Sequence, residues 1–351
     1  MGNPFRRIMV RILKRIAKRV VPLLPPQAGR ILSHLPDSMV FRYAPFKLMV
    51  EPANDCNLKC PLCAVTTTMT RTRGFMTFPH FKHLVDTLPS SVTELALYGW
   101  GEALLNEEVF EMVRYASQQG FHTQISTNAT TLDRHADAVL DSGLSELIVC
   151  LDGATKETQE KYRVGSDFAQ VTRGIRLLCE RKKAKGAPTE IILQFLVFRH
   201  NQHEVGDMVR LSKELGVDHL ALKKPSIITY DSQGIIKTDN AELKRLAVKW
   251  LPEDSRFRLY DFVEGGRQVK VKEQMCYWAW QSAVNWNGDV TSCCMDPEGV
   301  NVVGNVFLNP EGFDGVWKSP AYVQMRKKVL RRETPICGGC PVGTDMHVQI
   351  F

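Results

Sequence analysis

No stretch of 18 apolar residues occurs in this chain of 351 residues, which excludes a helix that spans a membrane. No Asp or Glu occurs in the first 36 residues, where eight basic residues stand: Arg6, Arg7, Arg11, Lys14, Arg15, Lys18, Arg19 and Arg30. The other 37 basic residues and all 38 acidic ones lie beyond, a net of −1. The body is therefore neutral and no nucleic-acid partner is expected; the overall +7 belongs to the tail. No signal peptide is visible, because Arg and Lys interrupt the N-terminal apolar residues, so a cytoplasmic location is expected and disulfides are not. No low-complexity segment and no repeat beyond a strand–helix alternation is present. What remains is ordinary for a folded domain: 44% hydrophobic and 24% charged residues, enough for a sizeable core.

Within the basic tail, Phe5, Ile8, Met9, Ile12, Leu13, Ile16 and Val20 recur at helical spacing, with basic residues on the other face. An amphipathic helix is expected over 4–21, stopped by Pro22, Pro25 and Pro26. Such a helix suits an anionic membrane surface, peripheral at the inner membrane. Docking on its own body or on a protein partner are the alternatives.

From residue 46 the pattern alternates. Strands are expected at Phe46–Glu51, Glu94–Tyr98, His122–Ser126, Glu146–Leu151, Glu190–Phe198 and His219–Leu222. Helices are expected at Phe78–Leu88, Asn106–Gly120, Asp133–Ser142, Phe168–Lys185 and Glu204–Leu215. This is an α/β chain built of βαβ units with a parallel sheet, an open or closed barrel whose chemistry belongs at the C-terminal strand ends. Residues 226–275 are poorly periodic and form a connecting region. Residues 276–351 read as short β-like pieces and turns, with Asn287-Gly288 as a hairpin signal.

The ten cysteines are grouped. Cys56, Cys60 and Cys63 form C-x3-C-x2-C directly after the first strand. Three thiolates on one short loop can hold a soft metal centre and leave one coordination position open. Cys276, Cys293, Cys294, Cys337 and Cys340 form a second group. Cys150 and Cys179 stand alone, each suited to a small buried hydrophobe. Structural zinc is the alternative for either group, although zinc sites favour paired C-x2-C units.

The first loop resembles that of the radical S-adenosylmethionine (radical SAM) superfamily. The resemblance implies a partial (βα)6 TIM-like barrel over 46–225 and a [4Fe–4S] cluster on Cys56, Cys60 and Cys63. The open iron would take S-adenosylmethionine, whose reductive cleavage yields a 5′-deoxyadenosyl radical that abstracts a substrate hydrogen atom. Leu62 stands where the family often has an aromatic residue. Gly99-Trp100-Gly101-Glu102-Ala103 resembles the family's GGEP turn, with Ala103 for Pro, which implies that Gly99, Gly101 and Glu102 hold the SAM amino group. Ser126-Thr127-Asn128 resembles the TNG segment near the ribose, with Ala129 for Gly. A plain polar cap before the next helix is the alternative for Ser126 and Asn128. Asp152-Gly153 followed by Arg163 resembles a further SAM-side stretch, with Cys150 near the family's Ser. Arg163 would pair with the SAM carboxylate or form a salt bridge on a helix surface. Gln194, Asn201, Lys223 and Lys224 are strand-end polar groups suited to substrate, with a solvated loop position as the alternative for each.

The order of the second cysteines resembles the SPASM and shorter twitch auxiliary domains, a smaller C-terminal domain over 276–351. Five cysteines limit it to one extra [4Fe–4S] cluster, held by Cys276, Cys337, Cys340 and one of Cys293 and Cys294. Spacing in the twitch group points to Cys294; the G-x4-C rule of SPASM domains points to Cys293. The expected function is a radical SAM oxidoreductase that dehydrogenates or otherwise modifies a sugar, cyclitol or lipid-linked small molecule, served by a flavodoxin or ferredoxin. Peptide or protein maturation is one alternative, less expected because residues 1–45 are too short for a peptide-binding winged helix. A non-enzymatic Fe–S or zinc binding protein is the other. No catalytic acid or base can be assigned.

Overall fold

The computed structural model describes residues 45–237, 241–263, 266–269, 276–340 and 347–350. The basic helix expected over 4–21 lies outside these residues. Among the described residues no helix is long and apolar enough to cross a membrane.

Six parallel strands follow one another across a sheet in chain order: β1 (Lys47–Val50), β2 (Glu94–Leu97), β3 (His122–Thr127), β4 (Glu146–Cys150), β5 (Glu190–Leu196) and β6 (His219–Lys223). The intervening helices are α1 (Ala64–Thr67), α2 (Phe78–Asp86), α3 (Val109–Gln118), α4 (Leu132–Asp141), α5 (Lys156–Tyr162), α6 (Phe168–Lys185) and α7 (Val205–Leu215). Two short pairs, β7 (Thr229–Tyr230) with β8 (Ile236–Lys237) and β9 (Tyr260–Val263) with β10 (Gly266–Val269), flank α8 (Ala241–Trp250). The C-terminal region then joins the same sheet. β11 (Gln281–Val284) runs parallel to β1, and β12 (Asp289–Thr291) and β13 (Val302–Asn305) add antiparallel beyond it. α9 (Gly312–Lys318) and α10 (Pro320–Arg331) follow. β14 (His347–Ile350) closes against β6, so the ten-stranded sheet ends in β13 and β14.

Alternation along the strands decides the two faces. Leu48, Val50, Ile125, Leu147, Val149, Ile191, Leu193 and Phe195 are all fully buried in one core with α2, α3, α4, α6 and α7. Each such side chain contributes about 1.5–3 kcal/mol by leaving water. The intervening positions, including Lys47, Gln124, Ser126, Glu146 and Gln194, are half-buried. Successive strand residues point to opposite faces, so these polar positions line the concave side. This face is mixed: Met49, Ile148, Ile192 and Leu196 share it with the polar groups, where the packed interior of a TIM barrel is apolar throughout.

Five helices depart from the expectations, the short α1 and α5 within the barrel and three beyond it. In the segment expected to be poorly periodic, α8 buries Leu243, Ala247 and Trp250, a sparse helical stripe. In the region expected to hold only β-like pieces and turns, α9 and α10 form. Their signal is hidden because the buried face of α10 includes Arg326. Its guanidinium lies 4.0 Å from the Trp317 ring centre and donates to the Trp317 carbonyl at 2.6 Å. A cation stacked on aromatic rings takes the place of an apolar side chain there.

Candidate functional site

The loop after β1 is braced on both sides. Glu51 is buried and pairs with Arg71 at 2.9 Å, with both carboxylate oxygens engaged by that guanidinium. Arg73 donates to the carbonyls of Asn54 and Val65 and ties the two ends of the loop together. Cys56 Sγ accepts from the Leu58 N–H at 3.5 Å and from Asn128 Nδ2 at 3.8 Å. The Cys63 N–H donates to the Cys60 carbonyl at 3.1 Å, and α1 begins at the next residue. Burial raises all three thiols above their ordinary pKa, Cys60 to about 11, and each feels another of the three. Such thiols ionise only when a cationic centre compensates for lost solvation. Among the described residues no three His, Cys, Asp or Glu groups converge tightly enough for a single metal ion. A four-iron cluster is a larger body. Three soft donors with N–H groups aimed at sulfur fit it.

The turn after β2 packs directly on this loop. Gly101 has φ +111°, and a Cβ there would stand 2.5 Å from the Ala53 carbonyl oxygen, so only glycine fits. The Glu102 N–H donates to the Asp55 carbonyl at 2.8 Å. The Glu102 side chain, expected to face an ammonium group, is fully engaged by the protein. It accepts from the Leu104 N–H, the Thr127 hydroxyl and the Asn128 N–H at 3.0, 2.7 and 2.7 Å. Burial raises its pKa and these three donors oppose that rise. Glu102 thereby locks the end of β3 to the cysteine loop. Asn128 completes the link by donating to Asn57 Oδ1 at 2.9 Å. Ala129 adopts φ +61°, so an alanine occupies a left-handed position that favours glycine.

Asp152, two residues past the end of β4, has no exposure and accepts from the Leu196 N–H at 2.7 Å. Arg163 Nε donates to it at 2.6 Å, and the same guanidinium reaches toward Cys60. The salt-bridge alternative for Arg163 is thus met in the interior; the helix-surface location is corrected. The reason is that α5 ends at Tyr162 and turns Arg163 under the strand ends. Asn201, weighed as a substrate contact, is fully buried and donates to the carbonyls of Asp152 and Leu196, a bracing role.

Across the lumen runs one polar row. Ser126 Oγ lies 3.6 Å from Cys150 Sγ, Gln194 Nε2 donates to that sulfur at 3.6 Å, and Lys223 Nζ donates to Gln194 Oε1 at 3.1 Å. Cys150 is buried as expected, yet it is a member of this row. Burial lowers the pKa of Lys223. Deeper in, Tyr98 and Lys47 donate to Gln124, which reaches Glu146. These four were missed in the sequence. Along β3 the polar residues at every second position, His122, Gln124 and Ser126, were the signal; the others stand on strands without that alternation.

The second cysteine group divides. Cys276, Cys293, Cys337 and Cys340 line one small cavity. Cys294 is not among its lining residues; it lies toward the lumen, close enough to influence the charges of Lys223 and Tyr98. Cys293 therefore lines the cavity where twitch spacing suggested Cys294, whose thiol lies against that of Cys293 just outside the lining. Burial pushes Cys276 up to about 12. Four soft donors in one cavity fit a closed cluster.

Family comparison agrees with this arrangement. Residues 50–221 match the radical SAM superfamily, and residues 276–341 match the SPASM iron–sulfur cluster-binding domain. An AdoMet-dependent heme synthase of Methanosarcina barkeri is 29% identical over 175 residues, 49% of this chain and 48% of that protein. The chain thus spans about half the length of the AdoMet-dependent heme synthases it matches. Among solved structures, BtrN in complex with AdoMet and 2-DOIA is similar with a TM-score of 0.53 at 14% identity, covering 87% of this chain and 98% of that one. Streptococcus suis SuiB bound to precursor peptide SuiA is similar with a TM-score of 0.57 at 16% identity, covering 81% and 67%. At such identities the likeness is one of fold. The matched barrel begins at the end of β1, just before the loop that carries Cys56, Cys60 and Cys63, and the matched auxiliary region runs from Cys276 past Cys340: the chain belongs to the radical SAM superfamily and carries a C-terminal SPASM domain.

Proposed function

We propose that this protein oxidises a hydroxyl-bearing small molecule, of the sugar or cyclitol kind, held in the lumen between its two cysteine sites. When bound, S-adenosylmethionine and the open-iron cluster supply a 5′-deoxyadenosyl radical, and a closed second cluster supplies a one-electron acceptor. Cys56, Cys60 and Cys63 would hold the first cluster; Cys276, Cys293, Cys337 and Cys340 would hold the second. The observation that carries the substrate class is the row Ser126–Cys150–Gln194–Lys223. A lumen lined by hydrogen-bonding groups rewards a ligand that satisfies them and rejects an apolar one. Ser126 and Gln194 orient substrate hydroxyls. Dehydrogenation of an alcohol removes one hydrogen atom from carbon, one electron and the hydroxyl proton. Lys223, whose ammonium form is disfavoured by burial, takes that proton.

A peptide substrate is the second reading, favoured by the fold likeness to SuiB, which was captured with its precursor peptide. The test is anaerobic reconstitution with iron and sulfide, followed by assay of 5′-deoxyadenosine released from S-adenosylmethionine. About eight irons are expected, falling to about four in a Cys56/Cys60/Cys63→Ala variant that releases no 5′-deoxyadenosine. Deuterated polyols, and separately deuterated peptides, then compete to label the released 5′-deoxyadenosine. Label from polyols supports the first reading and label from peptides the second. Stoichiometric zinc with no cleavage in folded protein overturns both.

A further inference from the structure

The cavity of the four cysteines contains a hydroxyl with nothing to bind. Ser292 precedes Cys293, has no exposure, lines this cavity and has no hydrogen-bond partner for its Oγ. An unpaired hydroxyl deep in a protein is costly and therefore rare. Its surroundings point the same way. Thr334 Oγ1 lies 3.0 Å from Cys337 Sγ, and Arg332, on the same cavity wall, acts on Cys276. The Met295 N–H donates to Cys293 Sγ at 3.4 Å. Hydroxyl, amide and guanidinium groups thus act on three of the four sulfurs, those of Cys337, Cys293 and Cys276.

We propose that Ser292 donates an O–H···S hydrogen bond to the auxiliary iron–sulfur cluster and, with Thr334, raises its reduction potential. This rests on the assignment of that cluster to Cys276, Cys293, Cys337 and Cys340. Hydrogen bonds to sulfur stabilise the reduced, more negative state more than the oxidised one, and so raise the potential. A raised potential suits a centre that receives an electron from a substrate radical. Ser292 is a positioning residue: it acts on the cluster and not on substrate.

The test is an EPR-monitored redox titration of the reconstituted holoprotein, wild type beside Ser292→Ala and Ser292→Thr, with iron counted in each. Ser292→Ala is expected to keep its iron and to shift the second cluster's one-electron equilibrium about tenfold toward the oxidised form, about 59 mV lower. Ser292→Thr, which retains the hydroxyl, is expected to titrate with the wild type. The first cluster's midpoint is expected to stay unchanged in both. An alanine variant with full iron and an unshifted midpoint overturns the proposal. So does a threonine variant shifted as far as alanine, which would assign the effect to space. So does loss of the second cluster's iron in the alanine variant, which would make Ser292 a residue for assembly. A wild type with no second cluster defeats the underlying cluster assignment instead, and the two failures are distinct.

Discussion

Replacing Arg163 by methionine isolates the electrostatics beneath the first cysteine loop. Asp152 has no side-chain exposure and Arg163 has 14%, with 2.6 Å between Nε and Oδ2. Methionine keeps much of the apolar contact but leaves the Asp152 carboxylate with the Leu196 N–H on Oδ1 and no cation. An uncompensated buried charge of this kind costs about 3–5 kcal/mol. Asp152→Asn made together with Arg163→Met removes both charges, so the double variant should lose less than the sum of the singles. The expected coupling is about 2–3 kcal/mol, as for groups in one ion-pair network. Urea unfolding of the cluster-free protein under reductant measures all four corners of the cycle without metal linkage. Additive losses, or a loss below about 1 kcal/mol for Arg163→Met, would refute the claim that this pair is desolvated. The same variants should also lose iron at Cys56, Cys60 and Cys63 on reconstitution, since the guanidinium reaches toward Cys60.

Four further outcomes follow from the geometry. Cys293→Ser should lose about four irons while Cys294→Ser retains them, by iron count, because Cys293 alone of the pair lines the four-cysteine cavity. Gly101→Ala should cost at least about 1–3 kcal/mol in unfolding free energy, from positive-φ strain plus the collision with the Ala53 carbonyl. Ala129→Gly, at φ +61°, should stabilise by up to about 1 kcal/mol in the same assay. Lys223 has a folded pKa below its model-peptide value of 10.5, so below 10.5 the unfolded chain binds more protons. Stability should therefore rise with pH from the lowered folded value up to about 10.5, and Lys223→Met should flatten that slope in melting curves taken across pH.

Much of the barrel was legible because its strands are short and its helices obey the 3.6-residue period. Phe168–Lys185 was expected with those bounds and found with them. The first cysteine loop was legible because its three ligand candidates fall within eight consecutive residues, 56–63, so chain connectivity alone gathers them. The basic tail was legible only as a pattern, and it lies outside the described residues. α8 and α10 were not legible, since a sparse stripe and a buried Arg326 blur the helical period.

The sequence by itself determined the cysteine order, the βα rhythm, the glycine needed at residue 101 and the adjacency of Cys293 and Cys294. Only the tertiary structure puts Cys293, and not Cys294, in the lining of the cavity shared with Cys276, Cys337 and Cys340. It also decided that Glu102 and Arg163 are held by protein partners, and that Ser126, Cys150, Gln194 and Lys223 form one row. The physical reason is the same in each case. Local pattern tells which side chains share a face, but what that face meets depends on contacts between residues dozens to hundreds of positions apart, brought together only when β3 to β6 pair in order and β11 pairs with β1.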